Sequence, residues 1–210
     1  MELTASAQWI NATFETFDQS ITSAVHALHT AAGGFFTPFF ELISFFGKGG
    51  ICLILLSLCL MFLKPTRRFG TAMLLGLAIG AIITNLGLKI FIARPRPYAD
   101  QNSMFYELWL LVGQNIESDK SFPSGHTTAA FASMTPVFIM GKPKYKIAAL
   151  CFAVLMGIAR IYLVVHFPSD VLAGMIVGIF AGCVAVLIAA KLPRRWYEWD
   201  ALPKGKHAKN

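Results

Sequence analysis

The chain has 210 residues, of which 56% are hydrophobic and only 14% are charged, and its mean hydropathy is +0.60. Soluble domains carry about 25% charged residues, so this composition, with its apolar residues in long runs, excludes an ordinary soluble domain and predicts an integral membrane protein. The formal net charge of +7 would suit nucleic-acid binding, but the basic residues follow the ends of the apolar runs, which argues against nucleic acid as a partner.

The N-terminal segment, residues 1–47, contains no Lys or Arg, and polar residues, adjacent glycines and Pro38 interrupt it. We expect residues 14–46 to form one or two helices that lie in the membrane interface, with a transmembrane helix as the alternative. The first residues lack the basic region and the small-residue cleavage site of a signal peptide, so a cleavable signal is not expected.

Five later runs are apolar enough to cross a membrane: 50–63, 70–93, 123–141, 147–165 and 171–192. The second run would reach about 36 Å as a helix, enough to cross a hydrocarbon core of about 30 Å with tilt. The predicted fold class is therefore all-α, an integral membrane helical bundle of five transmembrane helices, or six if the N-terminal segment also crosses. We divide the chain into the interfacial segment 1–47, a transmembrane domain 48–193 and a basic tail 194–210.

The basic residues predict how the bundle is oriented. Twelve of the 18 Lys and Arg residues lie on one predicted face: Lys64, Arg67, Arg68, Lys142, Lys144, Lys146, Lys191, Arg194, Arg195, Lys204, Lys206 and Lys209. The positive-inside rule assigns this face, with the C-terminus, to the cytoplasm of a multi-pass cell-membrane protein. Lipid-facing and partner-facing helix surfaces share one composition, so the sequence makes no prediction of oligomeric state.

The four cysteines, Cys52, Cys59, Cys151 and Cys183, all lie inside apolar runs. Their spacing matches neither a disulfide framework nor a zinc site, so we expect buried free thiols.

The opposite, extracytoplasmic face carries three groups of polar residues, and the first follows the second run. Lys89 lies inside the run, where an unpaired charge costs about 2.5–3.5 kcal/mol, so it faces a bundle interior or a wet cavity, or else snorkels to the surface. The prolines of "ARPRP" end the helix and place Arg94 and Arg96 at the membrane surface. Headgroup anchoring is the alternative role for either arginine.

The second group, "FPSGH", begins the third run. Ser124 is a favoured N-cap residue, and Gly125 leaves the backbone open to close approach. A helix N-terminus offers free N–H groups to an anion, and His126 adds a titratable group at the same place. An ordinary capped helix is the alternative.

The third group, "ARIYLVVHFPSD", links the fourth and fifth runs and holds Arg160, His166 and Asp170. Asp170 follows His166 by four residues, one helical turn, and so can accept a hydrogen bond from one imidazole nitrogen and leave the other free as a nucleophile. A solvated His–Asp pair in a loop is the alternative.

Together the three groups favour phosphoryl transfer, which needs charge stabilisation, in-line placement and a proton for the leaving oxygen. A metal site is disfavoured, because two histidines and one carboxylate among three cations would repel a divalent ion. We therefore expect no metal and no cofactor.

Three ordered blocks, Lys89-x6-Arg96-Pro97, Pro123-Ser124-Gly125-His126 and Arg160-x5-His166-x3-Asp170, resemble the signature of the type 2 phosphatidic acid phosphatase (PAP2) superfamily. The resemblance covers roughly residues 45–192 and implies a metal-independent lipid phosphate or diphosphate phosphatase built as a transmembrane helical bundle. It assigns His166 as the nucleophile that forms a phosphohistidine, Asp170 as its orienting group and His126 as the acid for the leaving group. The phosphate oxygens are then held by Lys89, Arg96, Ser124, Gly125 and Arg160.

The chain departs from the superfamily pattern in two places. Ala159 stands where a serine usually precedes the arginine, and we expect a modest loss of activity without inactivity. The second place is "RPRP", which offers two arginines. The superfamily spacing selects Arg96 and leaves Arg94 as a contact at the rim or with a headgroup. The short architecture is similar to that of bacterial members that act on undecaprenyl diphosphate. The 98–122 loop is expected to serve as a lid or to dip into the interface.

The working hypothesis is a lipid phosphatase at the extracytoplasmic face whose substrate, most favourably undecaprenyl diphosphate, enters from the bilayer. Phosphatidylglycerol phosphate and phosphatidic acid are the alternative substrates. A non-catalytic lipid-phosphate binder or transporter is the alternative of a different class, since it would need the cations but not an oriented nucleophile.

Overall fold

The computed structural model describes residues 3–193 and 196, so most of the predicted basic tail lies outside the described residues. Within that part of the chain every regular element is a helix. The helices are α1 (Ala5–Ala32), α2 (Thr37–Gly47), α3 (Ile51–Phe62), α4 (Arg67–Ala81), α5 (Lys89–Ile92), α6 (Met104–Leu110), α7 (Gly125–Met140), α8 (Pro143–Tyr162) and α9 (Pro168–Ala190). The predicted all-helical class is confirmed.

Four helical stretches are long and apolar enough to cross a membrane: Thr37–Phe62, Lys64–Ala99, Pro143–Tyr162 and Pro168–Ala190. They overlap the first, second, fourth and fifth predicted runs. The third run forms α7, which has only 16 residues and packs at the centre of the bundle against α4, α8 and α9. The chain is a multi-pass membrane protein, and five crossings remains a prediction.

The N-terminal segment forms two helices, α1 and α2, that pack in different ways. Helix α1 is one 28-residue helix that buries Asp18 and His26 together with apolar residues and packs on α5, α8 and α9. Helix α2 instead continues toward α3 through Gly49 and Gly50, whose φ values of 59° and 67° favour glycine. Residues 37–47 therefore extend the first apolar run backward into the first candidate span, which their own apolar sequence permits.

Small residues bring the central helices close together, as is common where helices pack in membranes. A Cβ atom at Gly76 of α4 would lie 2.4 Å from the carbonyl oxygen of Ala132 in α7. A Cβ atom at Gly174 of α9 would lie 2.7 Å from the carbonyl oxygen of Ser124. These contacts hold the start of α7 beside α9.

The second candidate span changes geometry before it ends. Residues Ile82–Leu88 form a π-helical turn between α4 and α5, a feature that often accompanies functional sites. Ala93 then adopts φ 52°, a left-handed conformation that is uncommon for a residue with a Cβ atom, and ends α5. This abrupt end directs the chain through Arg94 and Arg96 across the bundle.

The 98–122 loop is packed on the bundle. It contains the short helix α6, and Trp109 stacks on Tyr98 with 4.8 Å between ring centroids, while Phe105 meets Phe167 edge to face at 4.9 Å. The four cysteines are free, but Cys59 and Cys151 are exposed on the outer surface of the bundle. Burial of these two thiols was therefore predicted wrongly, because an apolar run gives no sign of which face points to lipid.

Candidate active site

The three predicted groups converge on one cavity of about 310 Å³ between the α2–α3 junction, the end of the second span and the start of α7. The cavity is lined by polar residues from all three groups: Lys89, Arg96, Gly125, His126 and His166. Two acidic residues of the 98–122 loop, Glu117 and Asp119, also line it. Residues far apart in sequence thus form one cationic site with carboxylates at its surface.

His166 lies between α8 and α9 and is buried. Its Nε2 is 2.8 Å from Nη1 of Arg96, and its Nδ1 is 3.5 Å from Oδ2 of Asp170. Because a guanidinium group only donates hydrogen bonds, this contact fits an unprotonated Nε2, with the proton on the nitrogen that faces Asp170. Burial, followed by the charges of Arg96, Arg160 and Lys89, lowers the pKa of His166 well below its usual value. A neutral imidazole suits a nucleophile.

Asp170 lies in the first turn of α9 and is fully buried. Its Oδ2 accepts a hydrogen bond from the backbone N–H of Phe167 at 3.0 Å and another from the hydroxyl of Ser121. The carboxylate therefore caps α9 while it faces the imidazole.

The cations of the cavity are paired with the two acidic residues of the loop. Lys89 and Arg96 both form ion pairs with Asp119, and Arg160 pairs with Glu117. Burial alone would raise the pKa of Asp119, but the hydrogen bond from Lys89 and the charges of Lys89 and Arg96 outweigh it and lower the pKa. Neither acid was predicted to be a site residue; their position just before "SFPSGH" was the available signal.

Arg160 is buried at the last turn of α8, behind Glu117. Its Nη1 also donates a hydrogen bond to Ser44, and its Nε has no hydrogen-bond partner among the described residues. A phosphate in the cavity would reach this guanidinium only after Glu117 moves aside.

Ser124 and Gly125 separate into two roles. The buried hydroxyl of Ser124 caps α7, accepting hydrogen bonds from the N–H of Thr127 at 3.5 Å and from its hydroxyl at 2.9 Å. Gly125 instead faces the cavity, where a Cβ atom would lie 3.6 Å from Nζ of Lys89. The predicted phosphate contact therefore fits the backbone of Gly125 better than the side chain of Ser124.

His126 follows in the first turn of α7 and lines the cavity. The end of α2 closes over it, since a Cβ atom at Gly47 would lie only 2.7 Å from Cδ2 of His126. The two histidines thus face the same cavity from different helix ends.

Arg94 is not at the rim, where the sequence analysis placed it. The side chain is buried, and its Nη1 donates to Oδ1 of Asp170 at 2.7 Å while its Nη2 donates to Oδ2 of Asp18 at 2.9 Å. The rim assignment was wrong because two buried carboxylates draw Arg94 inward, and nothing in the local sequence identifies them.

The sequence model of the PAP2 superfamily matches residues 69–194, more than half of the chain. The chain belongs to the PAP2 superfamily. The match includes all three groups of polar residues, whereas helix α1 and residues 37–62 lie before it.

Two solved structures resemble the fold. The first transmembrane PAP2 type phosphatidylglycerolphosphate phosphatase from Bacillus subtilis superposes with a TM-score of 0.67 at 26% identity, over 90% of this chain and 92% of that protein. LpxE of Aquifex aeolicus superposes with a TM-score of 0.59 at 25% identity, over 79% of this chain and 93% of that protein.

Curated relatives include an undecaprenyl-diphosphatase of Sulfolobus acidocaldarius, 26% identical over 151 residues, which cover 72% of this chain and 69% of that protein. A lipid A 1-phosphatase of Rhizobium johnstonii is 29% identical over 125 residues, which cover 58% of this chain and 48% of that protein. The chain thus spans about half the length of the Rhizobium relative. These PAP2 relatives are lipid phosphatases named for different lipids.

Within residues 3–193 and 196, no group of three or more His, Cys, Asp and Glu residues is arranged to hold a metal ion. The cavity instead presents Lys89 and Arg96 beside two histidines, with Asp119 as the acidic partner of both cations and Glu117 also in the lining. This charge distribution suits a phosphate group.

Proposed function

We propose that the protein hydrolyses a phosphomonoester or diphosphate of a membrane lipid through a phosphohistidine at His166, without a metal ion. The main support for this proposal is the position of His166. Its Nδ1 faces the buried Asp170, and its Nε2 faces Arg96 and the cavity. A protein that only held a lipid phosphate would need the cations, but it would have no use for an oriented, neutral imidazole.

In the first step, Nε2 of His166 attacks the terminal phosphorus, and the bond from phosphorus to the leaving oxygen breaks. His126 donates a proton to that oxygen, so the lipid alcohol or lipid phosphate leaves neutralised. Asp170, whose Oδ2 lies 3.5 Å from Nδ1, stabilises the positive charge on the ring. Water, deprotonated by His126, then attacks the phosphohistidine and releases inorganic phosphate and free His166.

The transition state is stabilised mainly by positive charge. Lys89 and Arg96 lie at the cavity and would bind the phosphate oxygens together with the N–H groups at the start of α7. An entering phosphate would replace the carboxylate of Asp119, whose side chain is 48% exposed. Displacement of Glu117 would add Arg160 to the same anion. Substrate binding is thus an exchange of one anion for another.

The apolar side of the cavity supports a lipid as substrate. Ile54 of α3 and Leu77, Gly80 and Ala81 of α4 line part of the cavity. These apolar residues would accommodate the first part of a lipid tail whose remainder stays in the bilayer. We propose undecaprenyl diphosphate first, in line with the short architecture and the Sulfolobus relative, and phosphatidylglycerol phosphate or phosphatidic acid second. The active site would face the extracytoplasmic side, with the C-terminus in the cytoplasm.

The test is phosphate release in detergent micelles, with EDTA present, from undecaprenyl diphosphate, phosphatidylglycerol phosphate and phosphatidic acid. Wild type, His166→Ala and the matched control His29→Gln are compared, since His29 lies on α1 outside the cavity. Release by wild type and the control, abolished in His166→Ala, is the expected result. Full turnover by His166→Ala would exclude the phosphohistidine, and tight lipid-phosphate binding without release by wild type would favour a binder or transporter.

A further inference from the structure

The side of Asp170 that faces away from the cavity is held by a buried polar network. Nη1 of Arg94 donates to Oδ1 of Asp170 at 2.7 Å and to the hydroxyl of Ser169 at 2.8 Å. Asp18 of α1 accepts from Nη2 of Arg94 at 2.9 Å and from the N–H and hydroxyl of Ser169 at 2.7 and 2.8 Å. Asn11 accepts from Nε of Arg94 at 2.8 Å. Nearly every donor of the guanidinium thus has a partner on α1 or α9.

The network fixes the rotation of the Asp170 carboxylate. Oδ1 is held by Arg94, and Oδ2 accepts from Phe167 and Ser121 and faces His166. Rotation of the carboxylate would break hydrogen bonds at both oxygens, so Oδ2 stays directed at Nδ1 of the imidazole. A carboxylate can orient a catalytic imidazole only if the carboxylate is itself restrained in this way.

Arg94 is in turn fixed by α1. Its guanidinium lies over the ring of Phe167, 3.8 Å from the centroid, and the carboxylate of Asp18 and the amide of Asn11 hold the other edge. Arg94, Asp18 and Asp170 are each at most 1% exposed. The side chain of Arg94 therefore does not line the phosphate cavity, and Asp170 is the catalytic group that it contacts directly.

We propose that Asp18 and Arg94 are positioning residues for the phosphatase reaction, which hold Asp170, and through it His166, in the orientation needed for attack. The inference rests on the proposed function. It assigns a role to helix α1, which lies before the residues that match the superfamily, because α1 supplies the carboxylate that completes the network.

The decisive variant is Asp18→Asn, which keeps the size of the side chain but turns an NH₂ group toward donors of Arg94 or Ser169. The matched control is Glu15→Gln, which removes one acidic charge from an exposed position on the same helix. We expect Asp18→Asn to lower kcat about tenfold with KM changed by less than about twofold, because phosphate binding to Lys89 and Arg96 is untouched. Glu15→Gln should match wild type.

A double-variant experiment separates positioning from a general structural role. If Asp18 acts through Asp170, Asp18→Asn causes no further loss of kcat in an Asp170→Asn background. If Asp18 only stabilises the fold, the loss is the same in both backgrounds. Should Asp18→Asn fail to accumulate, Arg94→Lys serves instead, since it keeps the charge but loses the fork that spans Asp18 and Asp170, and it should show the same dependence on Asp170.

A second readout does not depend on turnover. The ¹⁵N spectrum of the imidazoles, with the His166 signals assigned through their loss in His166→Gln, should change at His166 in Asp18→Asn and stay unchanged in Glu15→Gln. Unchanged His166 signals, or wild-type kcat in Asp18→Asn, would overturn the positioning role. Absence of phosphate release by wild type would overturn the proposed function, and the spectrum would still decide whether Asp18 orients His166.

Discussion

Two sets of ion pairs flank His166, and they differ in how firmly they are held. On the cavity side, Lys89 and Arg96 pair with Asp119, whose side chain is 48% exposed. On the opposite side, Arg94 pairs with Asp18 and Asp170, whose side chains are 2% and 0% exposed. The exposed carboxylate can exchange for water or phosphate, whereas the buried carboxylates are held by Arg94 together with hydrogen bonds from Ser169, Ser121 and the backbone N–H of Phe167.

This difference explains how one site uses the same residue types for two purposes. Pairs that must open for substrate involve an acid in a loop, and pairs that must stay closed are buried between helices. We expect substitutions on the buried side to affect both stability and turnover, and substitutions of Asp119 to affect substrate binding alone.

The largest effect is expected for Asp170→Asn, which removes the acceptor that faces Nδ1 of His166. An amide at this position favours the wrong imidazole tautomer, and a comparable change in a serine protease triad lowers kcat about 10⁴-fold. We predict a loss of kcat on the order of 10³–10⁴-fold, measured by steady-state phosphate release. Asp100→Asn is the control, because Asp100 is an exposed acid of the loop. A loss below about tenfold would show that Asp170 is a structural cap of α9 and no more.

Removal of a cation should lower the free energy of unfolding more on the buried side than on the cavity side. Arg94→Ala leaves two buried carboxylates unpaired and should destabilise the fold by about 3–5 kcal/mol. Lys89→Ala leaves Asp119 paired with Arg96 and partly solvated, so the cost should stay within about 1 kcal/mol. Unfolding in mixed detergent micelles, followed by tryptophan fluorescence, measures both. Equal destabilisation by the two variants would refute the distinction between a fixed and an exchangeable side.

The cavity side was largely predictable from the sequence, and the buried side was not. Lys89, Arg96, His126 and His166 lie at or near the ends of apolar runs, and alternating spans bring such ends to one membrane face. Asp18 lies 76 residues before Arg94, on an amphipathic helix where an acidic residue normally faces water. Only the packing of α1 on α5 and α9 reveals that it points inward.

Predictions from the local sequence also failed for residues whose role depends on partners that are distant in sequence. Arg94 and Arg96 are two residues apart in "RPRP", and the proline-ended helix predicts that both reach the surface. The structure turns one into the cavity and the other to Asp170, a choice made by partners distant in sequence. Ser124 shows the reverse case, since its predicted tendency to cap a helix describes its hydrogen bonds well.

A smaller effect is expected from Asp119→Asn, which tests whether the carboxylate of Asp119 competes with phosphate on the cavity side. The variant removes the carboxylate that competes with phosphate for Lys89 and Arg96. An exposed ion pair contributes up to about 1 kcal/mol, so inorganic phosphate should inhibit the variant at concentrations about two- to fivefold lower than wild type. Asp100→Asn should leave the inhibition constant unchanged. Weaker inhibition would mean that Asp119 assists phosphate binding instead.

Competition between Asp119 and phosphate for Lys89 and Arg96 should persist at acidic pH. Since Lys89 and Arg96 lower the pKa of Asp119, the ionised form and its ion pairs are present above the ordinary pKa of about 3.9 and are lost only as the pH falls through the lower value. The ratio of phosphate inhibition constants for wild type and Asp119→Asn should therefore stay constant between about pH 5 and pH 8. A ratio that approached one at the acidic end would place the pKa of Asp119 too high for this account.

The smallest effect is expected from Ala159→Ser, which restores the residue usual in the superfamily. Ala159 is fully buried in an apolar cluster with Phe40, Trp109 and Tyr162, on neither of the two sides that bind the phosphate or hold Asp170. A serine hydroxyl there can bond the carbonyl one turn earlier in α8, so kcat/KM should change by less than about threefold. A rise of about tenfold, equal to about 1.4 kcal/mol, would show that the hydroxyl reaches the phosphate and that α8 contributes to the cavity beyond Arg160.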